Sequence, residues 1–303
     1  MKKLLLSSTL LAASLIIPSS IKAGPGESLG NTVNSCNTSV GECPITPTKF
    51  SAKIYRVALC TDNPMDTATA LAGLPVDWNN NGCVDVYNNE SGEVTGDIFS
   101  DTGATLSAES ITVPSAGTYS HVVALFDKEF QVASHHQVYD AGNDAIDPLG
   151  PRYYSTSDGG AAVGTADQAE MVTGNFNTFM PQIDCENDAA IADRSATTEG
   201  YGDFLAAGET FYGRILKSDF TMPRTGGGSI ANETAYCDGA AYLLSIVDKP
   251  TVVGSDTTGI HLKILAPMGL MRAVQDDDGL GGISGFTAHG SQMAVKVVPI
   301  TAS

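Results

Sequence analysis

A succession of short, β-branched and aromatic stretches, each closed by Gly, Pro, Asp or Ser, constrains this chain more than any other feature. "FSAKIYRVALC" (50–60), "GTYSHVVALFD" (117–127), "EFQVASHHQV" (129–138), "ETFYGRILKSDF" (209–220), "AAYLLSIV" (240–247), "GIHLKILAP" (259–267) and "QMAVKVVPI" (292–300) all follow that pattern. Helical periodicity is confined to "DTATALAGL" (66–74) and "YGDFLAAGE" (201–209), neither long enough for more than two turns. Thirty-two glycines beside a single tryptophan suit a turn-rich chain. The pattern predicts an all-β fold, an antiparallel β-sandwich of immunoglobulin-like or jelly-roll type with few short helices.

Punctuation divides the chain further. Residues 24–48 are polar and rich in Gly, Ser, Thr and Asn, and read as a flexible N-terminal arm. "DPLGPRYYSTSDGGAAVGTA" has the composition of a linker or long loop, so residues 148–165 are taken as a boundary. On this reading a β-sandwich domain occupies 49–147 and a second β-rich domain occupies 166–303.

The N-terminus, residues 1–23, reads as a secretory signal peptide. Lys2 and Lys3 precede the apolar run "LLLSSTLLAASLII", and Ala23 offers a small residue for cleavage. That run is too short and too interrupted by serine to span a bilayer, which takes about 20 apolar residues. The expectation is a secreted or cell-surface protein, with a periplasmic location as the variant, and no membrane insertion after cleavage. Losing Lys2, Lys3 and Lys22 moves the formal charge from −18 to −21. So acidic a surface disfavours nucleic acid, whose phosphates need clustered Lys and Arg.

Six cysteines in an exported chain suggest three disulfides. Six allow about fifteen connectivities. Sequence proximity favours Cys36–Cys43, Cys60–Cys83 and Cys185–Cys237.

The stretch "VDWNNNGCVDVYNNE" is the one that most resembles chemistry. Asp77, Asn79, Asn81, Gly82, Asp85 and Asn88 fall at positions 1, 3, 5, 6, 9 and 12 of a calcium-loop spacing. Position 12 is Asn88 where a strong loop has a bidentate Glu, so a calcium ion held here would bind weakly, at about 10⁻⁴ to 10⁻³ M. The competing account is an Asn/Gly turn pinned by Cys83, and the balance of residues favours it. Calcium is the one cofactor the sequence suggests. "VQDDDGLGG" (Asp276, Asp278) is a weaker loop of the same kind.

A turn at Asp127-Lys128 would fold 121–126 back on 129–136. It would set Leu125 against Phe130 and Val123 against Val132, and bring His121 near His136. Two imidazoles alone do not make a metal site. Likewise, strict alternation along 50–60 places Tyr55 on one face with Val57 and Leu59.

No nucleophile elbow, phosphate loop or HExxH motif occurs, and an enzyme is the less favoured class. Trp78, Tyr153 and Tyr154 lie in segments read as loops, where aromatic faces could stack on sugars. Two functions are therefore expected. The first is a non-catalytic structural subunit of an appendage, coat or adhesin, self-assembling or bound to other surface proteins. The second is a carbohydrate-binding module or glycan-acting hydrolase. In the first, the C-terminal "GSQMAVKVVPITAS" either donates a strand to a neighbour or, as the favoured alternative, closes its own sheet.

Overall fold

The structure is a computed structural model, and it describes residues 42–45, 47–66, 69, 72–95, 106, 111–139, 149–164, 168–175, 194–195, 210–222, 239–265, 271–275, 282–288 and 294–301. Among them every named element is a strand, every named strand pairing is antiparallel, and Thr69 alone has helical backbone. In chain order these begin with β1 (Glu42–Ile45), β2 (Lys49–Cys60), β3 (Val84–Val94), β4 (Gly117–Ala133) and β5 (His135–Tyr139). There follow β6 (Leu149–Ser155), β7 (Ala161–Val163), β8 (Val172–Asn175), β9 (Arg194–Ser195) and β10 (Thr210–Lys217). The last are β11 (Ala240–Val253), β12 (Thr257–Leu265), β13 (Met271–Gln275), β14 (Ile283–Ala288) and β15 (Ala294–Thr301).

The main sheet runs β3-β2-β4-β11-β10-β9, with β8 also pairing to β4. Three smaller sheets are β1-β13-β14, β12-β15 and β5-β6-β7. Strand β4 is the spine. Strand β2 lines one flank of it, while β11 and then β8 share the other: Val123 pairs with Ile246, and Phe130 with Gly174. The pairing of β4 with β11 joins, in one sheet, segments on either side of the boundary expected at 148–165. That supposed linker itself carries β6 and β7. Likewise β1, at the end of the expected arm, pairs with β13, and β15 closes on β12 of its own chain.

Both faces of the main sheet are covered. Its inner face holds Ile54, Val57, Leu59, Val122, Ala124, Phe126, Leu243 and Val247, in one apolar cluster with Ile260, Leu262 and Ile264 of β12, Val295 and Val297 of β15, and Phe286 of β14. Its outer face holds Ala58, Cys60, Val123, Leu125, Leu244 and Ile246, packed under Met65, Val76 and Met222 from loops. Apolar side chains pointing both ways explain why 121–126 and 240–247 read as continuous hydrophobic runs.

Two expectations from alternation and turn residues are corrected. At Asp127-Lys128 the chain does not reverse: β4 continues straight through. Opposite β2 the register passes from Phe126↔Ile54 to Phe130↔Ala52, so residues 127–129 bulge against Lys53 alone. The Asp127 carboxylate accepts the Glu129 N–H at 3.0 Å, which gives the local look of a turn within a strand. His121 and His136 therefore lie far apart along the chain's path, on different sheets. The second correction concerns Tyr55. The ladder shifts between Ile54 and Arg56 toward both neighbours: against β4, Tyr55 is the extra residue, and against β3, residues 89–92 bulge opposite it. Alternation is thereby reset. Ile54 joins Val57 and Leu59 inside, and Tyr55 joins Ala58 outside.

Candidate functional site

The loop between β2 and β3 lies over the outer face, and it contains Asp77, Trp78, Asn79, Asn81 and Cys83. Its ends are fastened by the Cys60–Cys83 disulfide, as sequence proximity predicts. Beside the bridge, Asn81 O accepts the N–H groups of Thr61 (3.2 Å) and Asp62 (3.3 Å). Gly82 sits at φ +58°, in the left-handed region, where its missing Cβ leaves room for the Thr61 hydroxyl. Cys36, Cys185 and Cys237 lie outside the described residues, and of Cys43 the backbone alone is placed. A disulfide of this kind persists in non-reducing surroundings. No helix among the described residues is long and apolar enough to cross a membrane.

The candidate calcium ligands are spread between a turn and a strand. Asp77 accepts the Asn80 backbone N–H at 3.0 Å and the Asn80 side-chain amide at 2.7 Å, which together hold its carboxyl below the usual range. The Asn81 amide donates to the Asp77 carbonyl at 2.8 Å, and Asn79 contributes its carbonyl to the turn. Asp85 and Asn88 stand in β3, which runs away from the turn. Asp85 accepts from the Arg56 guanidinium and, at 2.9 Å, from the Asn88 amide. Each carboxylate is thus supplied with donors from its own chain, an Asx turn followed by a strand. Among the described residues no three His, Cys, Asp or Glu side chains are grouped to hold a metal ion. Asp276 and Asp278 fall outside the described residues.

Trp78 packs against the outer-face cluster, and the Arg56 guanidinium lies 4.1 Å from its ring centroid. The same guanidinium meets Asp85, so one cation ties β2, β3 and the indole together. One face of the indole is therefore occupied. Tyr153 and Tyr154 are not loop aromatics: both lie in β6, opposite His136 and His135. Tyr154 is 1% exposed, and Tyr153 packs on the inner-face cluster. Paired strands, where a linker was expected, explain the difference.

Three rings that sequence reasoning missed rim this face: Tyr55, Tyr242 and Phe220, each partly buried against the outer cluster. Tyr55 meets Tyr242 edge-on at 5.2 Å, and Tyr242 stacks on Phe220 at 5.5 Å. The Tyr55 hydroxyl donates to Asp127 at 2.9 Å, and Lys53 Nζ lies 5.0 Å from its ring. Burial, then the neighbouring Asp127, raises the Tyr55 phenol well above its ordinary value. Phe220 sits at φ +61°, uncommon for a bulky side chain. Its carbonyl accepts the Val76 N–H at 3.2 Å, so the turn at 217–222 and the 72–82 segment support each other. The bulge that points Tyr55 outward could not be read from the alternation, and Tyr242 and Phe220 reach it from over 150 residues away.

His121 faces outward beside Cys60, its register partner. Its Nδ1 is 2.7 Å from the Ser120 hydroxyl, and its Nε2 is 3.9 Å from Asp248. Burial lowers its pKa and outweighs the opposing pull of Asp248 and Asp62, so the ring is neutral at neutral pH. The Asp248 contact is then not an ion pair. His136 is 5% exposed, its Nδ1 has no hydrogen-bond partner, and burial, then His135, lowers its pKa. Comparison with protein-family models, with curated proteins and with solved structures finds no match to this chain.

Proposed function

We propose that this chain is a non-catalytic structural protein of the extracytoplasmic space, a subunit of a surface appendage, coat or adhesin. Residues 1–23 serve as its export signal, and the strands form a β-sandwich. One observation carries the reading: the side chains best suited to chemistry are committed to holding the shell. Asp77 caps its own turn, Arg56 and Asp85 bind Trp78 and β3 to β2, and Asp127 holds Tyr55. The shared inner cluster of the main sheet with β12, β14 and β15 supports the sandwich arrangement. The Cys60–Cys83 bridge fits a compartment that does not reduce thiols.

A glycan-binding module is the second reading. Its support moves from Trp78 to the Tyr55–Tyr242–Phe220 rim, where half-buried rings adjoin Asp127 and Lys53. One experiment separates the two. Light scattering after size exclusion, on the exported protein, should find multimers or filaments for the assembly subunit. Removing residues 24–41, which spares β1, should change their size. A persistent monomer that binds a glycan array, and loses binding on Tyr242→Ala, would overturn the first reading in favour of the second.

A further inference from the structure

We propose that Cys60–Cys83 is an exchangeable latch, opened by a small dithiol while the main sheet stays folded. The position of the bridge is the first reason. Leu59 pairs with Val84, so the disulfide is the next rung of the β2–β3 ladder. In the folded state the ladder already closes the loop, so the covalent bond acts mainly by restricting the unfolded chain. Its loss leaves β2 held to β4 over ten registered positions, from Lys49↔Ala133 to Cys60↔His121.

Access is the second reason. Cys60 is fully buried, whereas Cys83 is partly exposed beside Trp78, so an incoming thiolate meets Cys83 first. The third is the neighbour of the leaving sulfur. His121 stands directly across from Cys60, where opposed side chains lie about 5 Å apart. Ser120 and Asp248 flank its two ring nitrogens. A neutral imidazole there can lend an N–H hydrogen bond to the Cys60 thiolate as it forms, and the proton that later quenches the thiolate comes from solvent.

The exchange balances. One thiolate of the dithiol attacks Cys83 Sγ, the Cys60–Cys83 bond breaks, and Cys60 leaves as thiolate and takes up a proton. The second thiolate then attacks the reagent's own sulfur in the mixed disulfide. Cys83 is released as a thiol, the reagent closes its disulfide, and two electrons have passed to the protein. What opens is the base of the segment 72–82. Its contacts over Val123, Leu125 and Ile246 then rest on Val76, Trp78 and the backbone bonds to Phe220, Pro64, Thr61 and Asp62.

The readout is built in, because Trp78 is the sole tryptophan. The folded protein is incubated with dithiothreitol, and samples are alkylated and mapped by mass spectrometry. Trp78 emission and far-ultraviolet circular dichroism are followed in parallel. In quenched samples the mixed disulfide with the reagent should sit on Cys83, with Cys60 as the free thiol. Emission should move to longer wavelength while the strand signal persists, and reoxidation should restore it. The variant with both Cys60→Ser and Cys83→Ser should show the shifted emission without reagent, and His121→Gln should slow opening. The proposal fails if the pair is labelled only where the strand signal melts, or if emission stays fixed once both sulfurs are labelled. An unchanged opening rate in His121→Gln would overturn the part given to the imidazole.

Discussion

Gly174 on β8 offers the sharpest test of how the spine strand is packed. It pairs with Phe130, and a Cβ placed on it would stand 2.7 Å from Phe130 Cε2, closer still to Cζ, and 2.8 Å from the Ala288 Cβ. Phe130 is 2% exposed and lies 6.0 Å from the Phe50 ring, which is fully buried, so it has nowhere to retreat. Ala288 has no rotamer to change. Overpacking of this kind costs about 1–3 kcal/mol. With both neighbours held, Gly174→Ala belongs at the upper end. The stiffer backbone returns about 0.5–1 kcal/mol, which leaves a net loss of about 2 kcal/mol and a fall in Tm of about 4–8 °C. Phe130→Leu alone should cost about 1–2 kcal/mol. It also vacates the space the new methyl needs, so the double variant should beat the sum by at least about 1 kcal/mol. Guanidinium unfolding at constant slope measures all three. If Gly174→Ala is neutral or stabilising, or if the two losses simply add, then β8 does not lie on Phe130 as described.

Two further predictions concern the outer face and the buried histidine. Arg56→Met keeps the aliphatic stem but removes the guanidinium from Trp78 and Asp85. The cation–π contact at about 0.5–1 kcal/mol and the half-exposed pair at about 0–1 kcal/mol give a loss of about 1–2 kcal/mol. Trp78 emission should change with it, and an unaltered unfolding curve would refute the clamp. His136 has its folded pKa depressed by burial, so the unfolded chain binds the extra proton more readily. Its contribution is present above the unfolded value of about 6.5 and lost as pH falls through it. Wild-type stability should therefore drop between pH 7 and pH 5, and less steeply in His136→Leu. A steeper fall in the variant would reverse the sign and sink the argument.

What could be read from the residues was local. The β class followed from segment composition, and Cys60–Cys83 from proximity across an Asn/Gly turn, because both depend on near neighbours. What misled was the assumption of uninterrupted ladders. Tyr55 changes face because one extra residue enters β2, and nothing in "KIYRV" marks it. Asp127-Lys128 reads as a turn because the flanking apolar residues match, yet pairing with β2, β11 and β8 carries the strand through it as a bulge. Tyr153 and Tyr154 sit among Pro, Gly and Ser that suggest a linker, while pairing to β5 and β7 decides their burial. The outer rim was out of reach for the same reason: tertiary pairing, not spacing, brings Phe220 and Tyr242 to Tyr55.

The flanks of β4 also set an order of events. Val122 meets Val247, 125 residues further along, and until β11 exists that side of the spine has bare amides and valines. Separations of this size slow folding, because the chain must be gathered before any contact rewards the gathering. A ribosome stalled anywhere before residue 240 would release a fragment with its longest strand half dressed, a template for clumping.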